Sequence, residues 1–273
     1  MQKFTLHSHT NSYGIFDGRN SIEEMIKAAE DKGFTEYGIS NHIICHPHKV
    51  SKHPMYFSHF QECSDIYKKL IDDIREAGSK SKIKVYVGFE VDYFHTKTWR
   101  NDFENLLKQI KFDYLIGSNH SLFNDDLSIP YSLYHIRDNK SDLPQNLHLP
   151  YSHNYWRNEI EMIKSGYFDF AAHFDLIKTA GVPEDATTQE LKQETIETLA
   201  KYNMPFEINT SAYDVYGEQC PSKELLIELN KRNVPTLISD DSHWTDAIGQ
   251  HYDKAEALLA EVGYKNRWSI KNK

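Results

Sequence analysis

Eight imidazole and carboxylate side chains sit at spacings that suit a metal site: His7 with His9, His42, Glu90, His120, His173, and Asp241 with His243. They stand out in a chain with fifteen histidines among 273 residues. Neutral imidazole and carboxylate accept first-row divalent cations such as zinc, manganese or iron. Residues i and i+2 on a strand point the same way, with Cα atoms ~6.6 Å apart. His7 with His9, and Asp241 with His243, therefore each aim two ligands at one small volume. A single ion takes about four to six ligands. Eight ligands imply two or more ions sharing bridging carboxylates. Such a cluster clamps the attacking and leaving oxygens of a displacement at phosphorus and lowers the pKa of a bridging water. Alone, His7 or His42 reads as a hydrogen-bonded core histidine, Glu90 as an ion-pair partner, and Asp241 as a helix cap. Together they would need to coincide in position six times over.

The coincidence shows once the elements that carry them are marked. Strand-like runs cover 3–8, 36–40, 85–91, 114–117, 168–172, 206–208 and 236–239, with amphipathic helices between them. Six of these seven runs carry one of the eight residues at or just past their C-terminal end; the sixth is followed instead by Asn209. Strands alternating with helices predict a parallel sheet. Seven such units approach the ~250 residues of a closed parallel barrel, whose active sites lie at the strand C-termini. The expected fold is α/β, a distorted (β/α)7 TIM-like barrel with a metal site at that rim. An open doubly wound sheet is the competitor, but no Gly-rich phosphate loop follows a strand. The first helix is announced by the capping box Ser21-Ile22-Glu23-Glu24, with Gly33 past its end. Residues 1–273 read as one barrel domain with a polar, proline-bearing insertion at about 121–155, expected as a long functional loop. His46, His48 and His53 cluster after the second strand and read as a solvated loop; the remaining histidines follow no pattern.

Composition narrows the partners. Thirty-one Lys and Arg against forty Asp and Glu give a net charge of -9, a poor footprint for a nucleic-acid binder. No run approaches the ~18 apolar residues of a membrane span. Three widely spaced cysteines argue for a reducing, cytoplasmic setting without a disulfide framework. Oligomeric state is not written in the sequence.

The segments Leu6-His7-Ser8-His9-Thr10, Ser40-Asn41-His42, Gly88-Phe89-Glu90, Gly117-Ser118-Asn119-His120, Ala171-Ala172-His173-Phe174-Asp175 and Asp240-Asp241-Ser242-His243 resemble the PHP (polymerase and histidinol phosphatase) superfamily, and its histidinol-phosphate phosphatase branch in particular. The resemblance spans residues 7 to 243. It implies three divalent metal ions. By matching position, His7, His9, Glu90 and Asp241 hold the first. Glu90 bridges to a second, completed by His120 and His173. The third takes His42, His243 and a residue of the loop after His9, assigned to Asp17. Two departures, Thr5 before His-x-His and Asn41 before His42, touch the support of these ligands. The activity implied is hydrolysis of a small phosphate ester, L-histidinol phosphate, in histidine biosynthesis through a metal-bridging hydroxide.

Some roles remain open at this level. His42, His243 or a metal-bound water can protonate the leaving alkoxide. Arg157, at the start of the helix after the insertion, is the preferred phosphate contact, with Arg19 second. Tyr131, Tyr134 and Tyr151 of the insertion are placed to recognise the imidazole and ammonium ends. The alternatives are a PHP-type phosphoesterase for another small phosphate or nucleotide, an amidohydrolase-type hydrolase, and a metal-binding module without turnover.

Overall fold

The computed structural model describes residues 2–47, 51–122, 131–139 and 142–272. Its strands are β1 (Phe4–Thr5), β2 (Glu36–Ile39), β3 (His42–Cys45), β4 (Tyr56–Phe57), β5 (Lys84–Asp92), β6 (Tyr114–Ser118), β7 (Ser121–Leu122), β8 (Tyr131–Ser132), β9 (Phe170–Ala171), β10 (Phe206–Asn209) and β11 (Thr236–Ser239). The main sheet runs β1-β2-β5-β6-β9-β10-β11, and each neighbouring pair is parallel. These seven strands are the seven runs expected from the sequence.

The sheet nearly closes on itself. At the upper end the His9 amide donates to the Ser242 carbonyl at 2.9 Å and the Ser242 amide to the His7 carbonyl at 3.3 Å. At the lower end no strand pairing joins β1 to β11, and a side chain takes its place. The Gln2 amide donates to the Ile238 carbonyl at 2.6 Å and accepts from the Ile238 N–H at 3.1 Å.

Helices α1 (Ile22–Asp31), α2 (Phe60–Ser79), α3 (Lys97–Leu107), α4 (Leu133–Arg137), α5 (His148–Ser165), α6 (Ala186–Tyr202), α7 (Tyr213–Tyr216), α8 (Lys223–Lys231) and α9 (Tyr252–Glu261) follow the strands. The capping box forms as its residues require. Ser21 Oγ accepts from the Glu24 amide at 3.2 Å, and Glu24 accepts from the Ser21 amide at 2.9 Å. α5 starts seven residues earlier than its apolar spacing suggested, because Pro150 falls in the first helical turn, where a missing N–H costs nothing.

Two expectations need correction. The chain does not leave the sheet after the second strand: it breaks at Ser40-Asn41 and resumes as β3, which pairs with β5 in a register that sets His42 directly opposite Glu90. His46 is consequently buried, its ring 4.8 Å from that of Phe94, whereas His53 is exposed and His48 lies outside the described residues. The insertion is not one long loop either. Its described part holds the β7–β8 pair, α4 and the first turns of α5, and it buries Leu133, Ile136, Leu143 and Tyr151.

Inside the barrel the period-two alternation of β5 and β6 runs from apolar to ligand. Along β5 the same side carries Tyr86, Gly88 and Glu90. On β6 and beyond it carries Tyr114, Ile116, Ser118 and His120. Leu6, Tyr114, Ile116, Phe170, Ala172 and Leu237 fill the lower interior, with Phe4, Trp268 and Ile270 packed beneath. Gly38 and Gly88 are glycine for steric reasons, since a Cβ at either would collide with the Tyr114 ring.

Candidate metal centre

All nine expected ligand residues converge at the upper rim, around Glu90. Glu90 Oε2 lies 3.1 Å from His7 Nε2, 3.4 Å from His9 Nε2 and 3.0 Å from His42 Nδ1. Its other oxygen is 3.1 Å from His173 Nε2 and 3.4 Å from His120 Nε2. Asp241 Oδ1 sits 3.3, 3.1 and 3.4 Å from the Nε2 atoms of His7, His9 and His243. Asp17 faces His42 at 3.5 Å and His243 at 3.6 Å. Ligand atoms fall into three tight sets: His7, His9, Glu90 and Asp241; His42, Glu90 and His120; and His9, Asp17, His42 and His243. His42 rather than His173 joins the second set, while His173 meets Glu90 at the same oxygen as His120.

The donor atoms fit divalent cations. His7 Nε2, His9 Nδ1, His42 Nδ1, Glu90 Oε2 and Asp17 Oδ1 are buried and make no hydrogen bond among the described residues. Buried polar atoms are ordinarily paired. Here they belong to the three ligand sets and go unbonded, and cations held by those sets would satisfy such donors. Burial works to raise the Glu90 pKa, but the imidazoles of His7, His42 and His120 hold it well below the carboxylate range. Burial also works against ionisation of Asp241, and His7 and His243 likewise keep it low. His9 is pushed down to about 4 by burial and by the charges of His243 and His42, so its ring is neutral near pH 7 and offers a lone pair.

Asp17 reaches the rim because its loop is tied at both ends. The Gly18 amide donates to the Thr10 carbonyl at 3.2 Å, in a passage so close that a Cβ on Gly18 would strike the Thr10 backbone. The Arg19 amide donates to the His243 carbonyl at 2.7 Å, strapping the loop across to the end of β11. Asn41 brackets Thr10, accepting from its amide at 2.8 Å and donating to its hydroxyl at 2.8 Å. Thr5 donates to Asp240 at 3.1 Å. Both departures from the superfamily pattern thus have structural partners.

Residues 5–211 match the PHP domain family. The chain belongs to that family. A Schizosaccharomyces pombe protein named probable histidinol-phosphatase is 24% identical over 288 residues, covering 94% of this chain and 86% of its own. Two solved structures share the fold. One is a Listeria monocytogenes protein provisionally named histidinol phosphatase hisK, with TM-score 0.72 and 19% identity over 92% of this chain and 99% of that one. The other is histidinol phosphate phosphatase from Lactococcus lactis subsp. lactis Il1403, complexed with zinc, L-histidinol and phosphate. Its TM-score is 0.71, with 19% identity over 97% of this chain and 95% of that one.

Beside the PHP cluster opens a cavity of about 250 Å³, bordered by His173, Asp241, His243, Tyr134, Arg137 and Trp244. Neither arginine expected from the sequence points into it as foreseen. Arg157 is exposed on α5, within reach of Asn154 on its own helix at 3.4 Å. Its helical phase turns it away, since Tyr155, Trp156, Asn158 and Glu159 take the buried face. Arg19 stacks on the Trp244 ring at 4.5 Å and is exposed. The cation at the cavity wall is Arg137 of α4, a residue the sequence reading passed over. Its Nε pairs with Asp138 at 2.6 Å, its Nη1 donates to the Tyr216 hydroxyl at 3.0 Å, and its plane lies 4.9 Å from the Tyr134 ring. Of the three insertion tyrosines only Tyr134 borders the cavity, its ring stacked 5.6 Å from His120. Tyr151 is buried and bonds the Tyr131 carbonyl at 3.1 Å.

Two buried carboxylates behind the ligands were also missed. Glu207 of β10 accepts from His7 Nδ1, and Asp92 of β5 accepts from His120 Nδ1. The signal was present: an acidic residue between Phe206 and Ile208 in a strand covered on both faces demands a partner.

Proposed function

We propose that this PHP chain is a metal-dependent phosphomonoesterase that hydrolyses L-histidinol phosphate to L-histidinol and phosphate, a step of histidine biosynthesis. The observation that carries the proposal is the position of the cavity. A space of about 250 Å³, sized for a small phosphate ester, is bordered by three residues of the ligand cluster, His173, Asp241 and His243, and by Arg137. The S. pombe relative bears the matching name, and the L. lactis structure holds zinc with both products.

In this reading His7, His9, Glu90 and Asp241 would hold a first ion, Glu90, His120 and His173 a second, and Asp17, His42 and His243 a third. Zinc, manganese or iron suits these ligands. Bound divalent ions would lower the pKa of a coordinated water and neutralise the phosphoryl oxygens. The chain supplies the rest. Arg137 offers a planar cation to the phosphate dianion, held in orientation by Asp138 and Tyr216. Tyr134 and Trp244 shield the reacting group from bulk water. His42 is buried within the cluster, whereas His243, 27% exposed in its side chain, borders the cavity. Because this reading gives both His42 and His243 to the third ion, a metal-bound water would be the proton source for the leaving alkoxide.

The site's ions, not the net charge of -9, would set the local field that draws in a dianion. Among the described residues no helix is long and apolar enough to cross a membrane, and Cys45, Cys63 and Cys220 are free and buried. We place the enzyme in the cytoplasm on that thiol chemistry. The test is phosphate release from L-histidinol phosphate against a panel of phosphomonoesters and nucleotides, with and without chelator. Strong preference for L-histidinol phosphate that chelator abolishes is the expected result. Equal rates across esters would overturn the substrate, and chelator-insensitive turnover would overturn the metal.

A further inference from the structure

We infer that Glu207 and Asp92 are positioning residues that each set the tautomer and aim of one ligand histidine, and so govern two different ions independently. The inference rests on the metal reading of the rim.

Glu207 is fully buried and joins four strand ends. It accepts from His7 Nδ1 at 2.9 and 3.1 Å, from the His173 amide at 3.0 Å, from Asn209 Nδ2 at 2.8 Å and from Ser239 Oγ at 2.5 Å. Every one of these partners is able to donate, so the carboxylate acts purely as an acceptor. A neutral imidazole carries one N–H, and a hydrogen bond from Nδ1 leaves Nε2 as the lone-pair atom. His7 Nε2 is the atom that faces Glu90 and Asp241 unbonded. Glu207 therefore presents His7 to the first ion in the tautomer that can coordinate.

Asp92 repeats the arrangement two residues beyond Glu90 on the same strand. Its Oδ1 accepts from His120 Nδ1 at 2.6 Å, from the His120 amide at 3.2 Å and from Ser118 Oγ at 3.3 Å. His120 Nε2 is thereby turned to Glu90 at 3.4 Å, on the side of the second ion. The two carboxylates differ in one respect. Asp92 Oδ2 makes no hydrogen bond among the described residues, whereas both oxygens of Glu207 are engaged. An amide can thus replace Asp92 by placing its NH2 at the unused oxygen. At Glu207 the same change sets a donor against His7 Nδ1 or Ser239, which favours the wrong tautomer.

The experiment measures zinc per chain and zinc affinity by competition with a graded chelator, for wild type, Glu207→Gln, Glu207→Ala, Asp92→Asn and Asp92→Ala. Thermal midpoints of the stripped proteins monitor folding. Removing such a partner typically weakens metal binding by about 10–100-fold. That loss is expected for one ion in both Glu207 variants and in Asp92→Ala, with Asp92→Asn within a few-fold of wild type. Anomalous scattering should show the vacancy beside His7 in the first pair and beside His120 in the third. Should Glu207→Ala not fold, Glu207→Gln, which keeps the volume, decides. Wild-type zinc affinity in the folded Glu207 variants, or loss of all ions together, would overturn the inference. A wild-type protein that binds no zinc would instead overturn the metal reading itself.

Discussion

The two ends of the barrel are built from the same seven strands and solve opposite problems. At the lower end Tyr114 fills the interior against Gly38 and Gly88, donates its hydroxyl to the Leu6 carbonyl at 2.5 Å, and is floored by Trp268. The C-terminal segment is held there by the Trp268 amide on the Thr236 carbonyl at 2.7 Å. Shapes interlock and the polar atoms named are paired. At the upper end, within a few residues on each strand, five buried donor or acceptor atoms lack hydrogen bonds and three carboxylates crowd together. One end contributes folding free energy, while the other holds groups whose desolvation folding must tolerate. A substitution at the top should therefore cost activity and leave the fold, and one at the bottom should do the reverse.

The largest effect should follow from Glu90→Ala, which removes the carboxylate shared by two of the three ligand sets. We expect kcat on L-histidinol phosphate to fall at least ~10³-fold, with reduced zinc per chain by elemental analysis. The variant should still unfold cooperatively, because Glu90 takes no part in the packing of the lower interior. Loss of cooperative unfolding would break the contrast between the ends.

Gly88→Ala is the converse change, two residues away on the same face of β5. Its Cβ would overlap the Tyr114 ring, and overpacking of this kind costs roughly 1–3 kcal/mol. Denaturant unfolding should show that loss, while zinc per folded chain stays at the wild-type value. If zinc falls in step with stability, the two ends are mechanically one unit.

Arg137→Ala tests the cavity wall. Because Arg137 belongs to neither end's packing, we expect an unchanged melting temperature and metal content, with KM for L-histidinol phosphate raised about 10-fold through the lost charge-assisted contact. The parallel change Arg157→Ala should leave KM within two-fold, and a larger effect there would restore the expectation drawn from the sequence.

How much of this was legible in the sequence follows from what each feature depends on. The strands and the ligand rim were readable because an alternating pattern ending in His or Asp is a local signal, and the eight spaced ligands all arrive at the rim. Asp17 lacks such a pattern; its place depends on a loop pinned between Thr10 and His243. The break that creates β3 is invisible in Gly38-Ile39-Ser40-Asn41-His42, since only pairing with β5 keeps the chain in the sheet. Arg137 sits in a helix of five residues, too short to show a period, inside a stretch whose prolines read as loop. Arg157 was misplaced because its helix begins at His148, which sets the phase of every later residue.

The smallest effect concerns a group at neither end. Glu159 of α5 lies behind the barrel wall, fully buried, accepting from Asn119 Nδ2 at 2.7 Å. Burial pushes its carboxyl up to about 8 from an ordinary 4.5, with the Asn119 hydrogen bond opposing. The folded chain thus keeps a proton that the unfolded chain releases above pH 4.5 or so. The stability this proton contributes is whole below that pH, declines as pH rises, and is lost through pH 8. Glu159→Gln keeps the shape and the polar head but cannot ionise. The difference in unfolding free energy, variant minus wild type, should therefore grow in favour of the variant between pH 5 and pH 9 and level off above pH 9. Ligands at the rim titrate over the same range in both proteins, so their contribution cancels in the difference. A pH-independent difference would mean that Glu159 is ionised in the fold and that the wall behind the metal centre is wetter than its packing indicates.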